Sequence, residues 1–134
     1  MSPSKRFISI LGLFAVIENA QAACPSNLNG TWVGSGTEIK TASNGLQTTK
    51  FSVLVGAVSG NQMTISKVFT ADGGGPTATD GPFPTTTFNL DKATCILTTT
   101  DGSGISGAVS NGGKTLQVVQ GSTGDATTII FYKQ

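Results

Sequence analysis

Few side chains in this sequence could carry out catalysis. The chain of 134 residues has no histidine, which is the usual general base and a frequent metal ligand. Serine and threonine are abundant, but a hydroxyl nucleophile needs a nearby base. After residue 22, the nearest such pairing is the adjacent Ser66 and Lys67. The aspartates lie in or beside predicted turns, where this residue type is common for structural reasons. We therefore expect no catalytic residues and a protein that is not an enzyme.

The composition also argues against metal and nucleic-acid binding. Asp72 and Asp80 stand in the longest predicted loop, but their spacing fits no standard calcium loop. Two cysteines without a histidine are a poor basis for a zinc site. The net charge of +1 does not provide the basic surface that nucleic-acid binding requires. We expect no cofactor, no metal and no nucleic-acid partner.

Residues 1–22 have the pattern of a secretory signal peptide. Two basic residues precede an apolar run of 11 residues, which is too short to span a bilayer. Ala20 and Ala22 occupy the small positions before a cleavage site, so the mature protein is expected to begin at Ala23. A lipid-modified start at Cys24 is the alternative. The expected location is secreted or periplasmic, with no membrane span in the mature chain.

Both cysteines, Cys24 and Cys95, follow the expected cleavage site. In an exported protein with two cysteines, one disulfide is the simplest arrangement. It would close a loop of about 70 residues. Two buried free thiols are the alternative. Over residues 23–134 six lysines balance six acidic residues, and no arginine remains for bidentate binding of phosphate or carboxylate.

From residue 23 to residue 134 the pattern is that of a single all-β domain. Short runs rich in Thr, Val, Ile and Phe are separated by Gly, Asn, Asp and Pro. Eight strands are predicted, over residues 31–39, 50–58, 62–69, 86–90, 94–100, 104–110, 114–120 and 125–133. Because side chains alternate along a strand, we expect Phe51 and Val53 to share one face. Met63, Ile65 and Phe69 are expected to share a face of the next strand.

The connections between these strands favour a barrel. Sequential strands joined by short loops pair as antiparallel neighbours, and closing eight of them into an up-and-down barrel removes the exposed edges. A β-sandwich is the alternative, although its crossing connections are usually longer. The strongest turn signal is Asn111-Gly112, since Asn-Gly tolerates the positive φ angles of a type I′ hairpin turn.

Residues 71–85 interrupt this rhythm. Three consecutive glycines and three prolines predict a loop without a strand, and a loop of this length is usually functional or disordered. Phe83, between Pro82 and Pro84, is a candidate contact for a ligand or a protein partner. The alternative is a surface loop in which Phe83 packs back on the barrel.

Trp32, the single tryptophan, opens the first predicted strand. It shares a face with Gly34 and Gly36, two positions without side chains. This arrangement predicts either a packed base of the barrel or open space above the indole ring. Trp32, Gly34 and Gly36 are therefore candidate ligand-binding residues.

Gly30-Thr31-Trp32 at the start of an eight-stranded meander resembles the opening motif of lipocalins. The stretch from Cys24 through Leu28 to Trp32 looks like the start of avidins. The resemblance covers about ten residues and the strand count, and it implies a calycin-type barrel closed at one end by the tryptophan, with an internal pocket. The later lipocalin arginine and the ligand-lining avidin tryptophans are missing, so biotin binding is not implied.

Two functions fit this sequence. The first is an exported barrel that binds an uncharged or apolar small molecule. The second is a secreted interaction protein, of the inhibitor or effector type, that has a filled core and acts through its loops. An internal cavity above roughly 300 Å³ would favour the first function. A core packed by Phe51, Met63, Phe69 and Phe88 would favour the second.

Overall fold

A computed structural model describes residues 24–72, 75–81 and 83–134 of the chain. The predicted signal peptide and its cleavage site lie outside these ranges. The strands are β1 (Gly30–Thr41), β2 (Gln47–Ser59), β3 (Gln62–Ala71), β4 (Pro76–Asp80), β5 (Thr86–Asp91), β6 (Ile96–Thr99), β7 (Ile105–Ser110), β8 (Thr115–Ser122) and β9 (Asp125–Lys133). Over the described ranges, no helix is long and apolar enough to cross a membrane.

The strands form one closed antiparallel barrel. The order around the sheet is β2-β1-β9-β8-β7-β6-β5-β3-β4, and a further pairing of β2 with β3 closes the ring. Eight strands complete the barrel and β4 is an additional strand beside β3. The predicted all-β, eight-stranded antiparallel barrel is therefore confirmed, and the alternative of two separate sheets does not occur.

The segment predicted as a loop over residues 71–85 contains the additional strand, so this prediction is wrong. Strand β4 pairs with Lys67–Ala71, and its proline is tolerated because Pro76 is the first residue of the strand. The N–H of Gly81 then donates to the carbonyl oxygen of Ser66, at 2.9 Å, before β5 pairs with the beginning of β3. Strands β4 and β5 thus follow one another along β3, with a short interruption between them.

A β-bulge in β3 changes which side chains reach the interior. Between Ile65 and Lys67 one extra residue has no partner in β2. Met63 and Ile65, which precede the bulge, pack against the core. Phe69, which follows it, is 39% exposed on the outside. The prediction that these three share a face is wrong for Phe69, because one inserted residue reverses the alternation of side chains.

The core also differs from the predicted one on β2. Phe51 and Val53 share a face, as predicted, but it is the outer face, where they are 61% and 40% exposed. Of the four residues proposed to fill the interior, only Met63 and Phe88 contribute to it. The fully packed part of the core consists of Leu28, Trp32, Val58, Phe88, Leu97, Val109, Leu116, Val118 and Phe131.

The segment before β1 closes one end of the barrel. The predicted disulfide between Cys24 and Cys95 is present, with the two Cα atoms 5.4 Å apart. Leu28 is 1% exposed, and its carbonyl oxygen accepts a hydrogen bond from the indole N–H of Trp32 at 2.9 Å. The side-chain oxygen of Asn29 accepts one from the N–H of Gly60 at 2.8 Å. The segment of residues 24–29 before β1 is therefore attached to three parts of the barrel.

The turn at residues 111–114 has the positive φ angles predicted for it, but its central positions are shifted by one residue. Asn111, Gly112 and Gly113 have φ angles of 54°, 62° and 89°, and the N–H of Lys114 donates to the carbonyl oxygen of Asn111 at 3.2 Å. The positive φ angles expected from the Asn-Gly signal are confirmed. The two glycines, rather than Asn111 and Gly112, occupy the central positions of the turn.

Candidate functional site

The interior of the barrel holds an apolar cavity of about 200 Å³. Its walls are mainly aliphatic and aromatic side chains that come from strands around the barrel. They include Leu54, Met63, Phe88, Ile105, Val118 and Ile129. A dry apolar cavity of about 150 Å³ is enough to hold benzene. The space inside this barrel therefore suits a single aromatic ring with a small substituent, or an aliphatic molecule of similar size.

Three polar side chains lie on the cavity wall, those of Thr86, Thr99 and Gln120. The hydroxyl of Thr99 accepts a hydrogen bond from the N–H of Ile105 at 3.0 Å and lies 3.2 Å from the carbonyl oxygen of the same residue, to which it donates. Its hydrogen-bonding capacity is thus largely used within the barrel. Thr86, at the start of β5, also lines the cavity.

A polar compartment of about 290 Å³ adjoins the apolar cavity. The two spaces share Leu54, Gln120 and Ile129. This second compartment is lined by polar side chains of five strands, among them Glu38, Ser52 and Thr70. The cavity thus continues into a polar mouth.

Charged residues in and beside this mouth are paired with residues of opposite charge. The Nζ atom of Lys40 lies 3.3 Å from a carboxylate oxygen of Glu38. Across the strands, Glu38 is opposite Lys50 and Lys40 is opposite Asp125. Glu38 and Lys50 line the mouth and balance each other, while Lys40 and Asp125 line an adjoining surface pocket. The mouth therefore has no net charge with which to attract a charged ligand.

Trp32 is fully buried at the closed end of the barrel, with 0% exposure. The cavity is lined by other residues, including Leu28, whose backbone carbonyl oxygen accepts the hydrogen bond of the indole N–H. The packed base predicted as one interpretation of Trp32 is therefore present. A direct contact between Trp32 and a ligand would need a space that this packing does not leave.

The open space predicted around Gly34 and Gly36 is occupied. A β-carbon built on Gly34 would collide with the ring of Phe131 and lie 2.9 Å from a methyl group of Ile129. One built on Gly36 would collide with the carbonyl oxygen of Thr128. The glycines allow β9 to approach β1 closely, so the prediction of empty space above Trp32 is wrong. Gly36 does line the polar mouth.

Phe83 is half-buried in the interruption between β4 and β5. Its ring lies close to Gly81, where an added β-carbon would be 3.3 Å from the ring. The lining of the interior cavity is made by other residues. Phe83 thus packs near the wall of the barrel, and the structure does not bring it together with Trp32, Gly34 and Gly36.

The site residues missed by the sequence analysis are those of the cavity wall and of its polar boundary. Their signal is the alternation of Leu116, Val118 and Gln120 along the predicted strand 114–120, in which two apolar residues are followed by a polar one. Leu116 and Val118 are 1% and 9% exposed, and Gln120 lies where the apolar cavity meets the mouth. The alternation identifies the inward face, but not the space left inside it.

A second concave surface lies outside the barrel. It is a groove of about 440 Å³, lined by Phe51, Val53, Phe69 and Pro76 among others. At its border the Nζ atom of Lys67 is 3.1 Å from a carboxylate oxygen of Asp80. This charge pair neutralises itself, and the groove is an uncharged apolar surface exposed to water.

Two aspartates stabilise turns rather than line a site. Asp101 accepts hydrogen bonds from the backbone N–H groups of Thr87 and Ser103, at 2.8 and 3.0 Å. The side chain of Ser103, followed by these two N–H groups, lowers the pKa of Asp101 from 3.8. At Asp91, the backbone N–H of Ala93 is the main cause of a lowered pKa. Both roles agree with the structural interpretation of the aspartates.

Comparison with known proteins finds no matching protein family and no matching curated protein. The closed antiparallel eight-stranded barrel is consistent with a calycin-like barrel. The disulfide fits an oxidising compartment outside the cytoplasm. Within the described ranges, no group of three or more His, Cys, Asp and Glu residues is placed to hold a metal ion.

Proposed function

We propose that this protein is an exported binding protein that holds a small uncharged, mainly apolar molecule inside its barrel. The observation that carries the proposal is the apolar cavity of about 200 Å³ that continues into a polar mouth. The apolar cavity alone does not reach the roughly 300 Å³ that would favour this function. The proposal therefore depends on the adjoining mouth and is restricted to a small ligand. The resemblance to lipocalins and avidins supports an internal pocket, and the signal-peptide pattern supports export to a secreted or periplasmic location.

The affinity would come mainly from removal of apolar surface from water. Each Å² of buried apolar surface contributes about 25 cal/mol, and a preformed cavity does not have to reorganise before binding. The balanced charges of Glu38 and Lys50 at the mouth provide no compensation for the desolvation of a charged ligand. An uncharged molecule is therefore the best fit to both compartments.

A cavity-filling variant tests this proposal. The probe is 4-ethyltoluene, a single ring with two small substituents, and binding is measured by isothermal titration calorimetry. In Ile105→Trp the indole should occupy the cavity and abolish binding. The matched control is Val119→Trp, at a position that is 51% exposed on β8, and it should bind as the unaltered protein does.

Two results would contradict the proposal. One is an unaltered protein that binds no 4-ethyltoluene at its solubility limit. The other is equal loss of binding in Ile105→Trp and Val119→Trp, which would place the probe outside the barrel. Circular dichroism of both variants checks that they are folded.

A second candidate function, interaction with a protein, is favoured by the outer groove. Phe51 protrudes, with 61% of its surface exposed, beside the groove of about 440 Å³ that it helps to line. The same surface thus presents a protruding side chain, Phe51, and an apolar groove that could receive one. It has no net charge that would repel an identical surface. These features fit a second copy of the chain, related by a twofold axis.

Sedimentation velocity tests this second candidate. The unaltered protein should form a dimer, and Phe51→Ser should shift it to the monomer. The matched control is Tyr132→Ser, at a position that is 54% exposed on β9, and it should remain dimeric. A monomeric unaltered protein at high concentration would contradict self-association through this groove.

A further inference from the structure

Gln120 is the polar residue among the three that line both the apolar cavity and the polar mouth. The other two are Leu54 and Ile129. A ligand that fills the cavity and extends toward the mouth therefore lies next to Gln120 at the boundary between the two spaces. At this position the carboxamide of Gln120 could favour one small apolar molecule over another through a polar contact.

The orientation of this carboxamide follows from its hydrogen bond. The Nε2 atom of Gln120 donates to the carbonyl oxygen of Ser103 at 2.7 Å. A backbone carbonyl can only accept a hydrogen bond, so the NH₂ group must face it. The Oε1 atom is consequently on the other side of the carboxamide. Gln120 is exposed at this end of β8, so its carbonyl oxygen is accessible and can accept a hydrogen bond from a donor on a ligand.

We propose that Oε1 of Gln120 accepts a hydrogen bond from a hydroxyl group of the ligand. This inference rests on the proposed function and narrows it, because it assigns the ligand to the small apolar alcohols and phenols. A hydrocarbon would leave the carbonyl oxygen without a donor on its ligand side. A carboxylate would place two acceptors against each other.

The other polar side chains of the cavity fit this role less well. The hydroxyl of Thr99 is already bonded to the N–H and carbonyl oxygen of Ile105. Thr86 lines the apolar cavity but not the mouth, so a ligand held there would have its hydroxyl group inside the cavity. Gln120 instead places the hydroxyl group at the boundary, where the polar end of the molecule can remain partly hydrated.

Two probes that differ only in the donor test the assignment. 4-Ethylphenol and 4-ethyltoluene have the same shape, with a hydroxyl group in place of a methyl group. In Gln120→Met the affinity for 4-ethylphenol should fall about 3- to 10-fold, which corresponds to the loss of one hydrogen bond. The affinity for 4-ethyltoluene should stay the same or increase. Gln117→Met, an exposed position on the same strand, should change neither affinity.

The outcomes separate the two proposals. If Gln120→Met weakens both probes equally, or if Thr86→Val causes the selective loss instead, the role of Gln120 is wrong while the binding cavity stands. If the unaltered protein binds neither probe, the cavity function and the role of Gln120 both fall. Amide NMR spectra of each variant show whether the barrel is intact, so that a loss of binding is not confused with unfolding.

Discussion

Gly34 on β1 and Phe131 on β9 lie directly opposite each other in the antiparallel pair, and the phenylalanine ring fills the place where a side chain at position 34 would be. Phe131 is 3% exposed. The missing side chain on one strand is thus compensated by a large one on its neighbour. This pairing explains why the glycine face of β1 leaves no empty space above Trp32.

Gly34→Ala should therefore destabilise the protein. The added β-carbon collides with Phe131 and approaches Ile129, and overpacking of this kind costs about 1–3 kcal/mol. Urea denaturation measures the change. The matched control is Gly121→Ala on β8, where an added β-carbon would have its nearest neighbour at 3.9 Å, and it should be nearly neutral. If Gly34→Ala is as stable as the control, the close pairing with Phe131 is wrong.

Two phenylalanines should differ sharply in their contribution to stability. Phe51 is 61% exposed and Phe88 is 5% exposed. In the monomer, at a protein concentration too low for self-association, Phe51→Ser should change the free energy of unfolding by no more than about 0.5 kcal/mol, as surface substitutions usually do. Phe88→Ala should cost about 3–5 kcal/mol. Equal losses in the two variants, measured by urea denaturation, would show that Phe51 belongs to the core after all.

The exposed position of Phe51 and the buried position of Phe88 show what the sequence pattern does not establish. Alternation along the chain establishes which residues share a face, and it grouped Phe51 with Val53 correctly. It does not establish which face is inside, because β2 carries apolar residues on both faces. The eight strands of the closed barrel, their antiparallel pairing and the disulfide depend on patterns along the chain, namely strand runs, short turns and two cysteines, and these were predictable.

The remaining differences have local physical causes. The bulge between Ile65 and Lys67 has no mark in the sequence, yet it turns Phe69 outward. Strand β4 forms despite Pro76 because the proline begins the strand and needs no partner for a missing N–H. The cavity depends on how far neighbouring side chains reach, as Phe131 does over Gly34. How far a side chain extends over its neighbour depends on which residues the strand register places opposite each other, and the sequence alone does not give this register.

Trp32 should behave as a buried structural residue. Its emission should be blue-shifted and protected from acrylamide, since the indole is 0% exposed. Trp32→Ala should cost about 3–5 kcal/mol. Trp32→Phe should cost about 1–3 kcal/mol, because it leaves the carbonyl oxygen of Leu28 without its donor. A red-shifted, quenchable emission would contradict the packed base.

The disulfide should stabilise the protein by holding the segment of residues 24–29 against the turn before β6. The bond joins residues 71 positions apart, and Cys95→Ser should lower the stability by roughly 2–5 kcal/mol. Cys24→Ser and the double variant should show the same loss, since each removes the same constraint. Thiol titration of the unfolded, unreduced protein should find none free. Two titratable thiols would contradict the bond.

Acid stability should depend on Asp101. Its pKa is lowered below 3.8 by the side chain of Ser103 and by the N–H groups of Thr87 and Ser103. Because the pKa is lower in the folded than in the unfolded state, the ionised carboxylate stabilises the fold fully above the unfolded pKa. This contribution is lost as the pH falls through the folded pKa. The melting temperature of the unaltered protein should therefore fall on acidification below pH 3.8.

In Asp101→Asn this fall should be smaller, because the residue no longer titrates. It should not vanish, since the pKa of Asp91 is also lowered in the folded protein, first by the N–H of Ala93. Ser103→Ala removes the side chain that contributes most to the lowered pKa of Asp101, and its slope should lie between those of the unaltered protein and Asp101→Asn. Scanning calorimetry at several acidic pH values measures the slopes. If all three proteins lose stability in parallel below pH 3.8, the hydrogen bonds to Asp101 do not set the acid response.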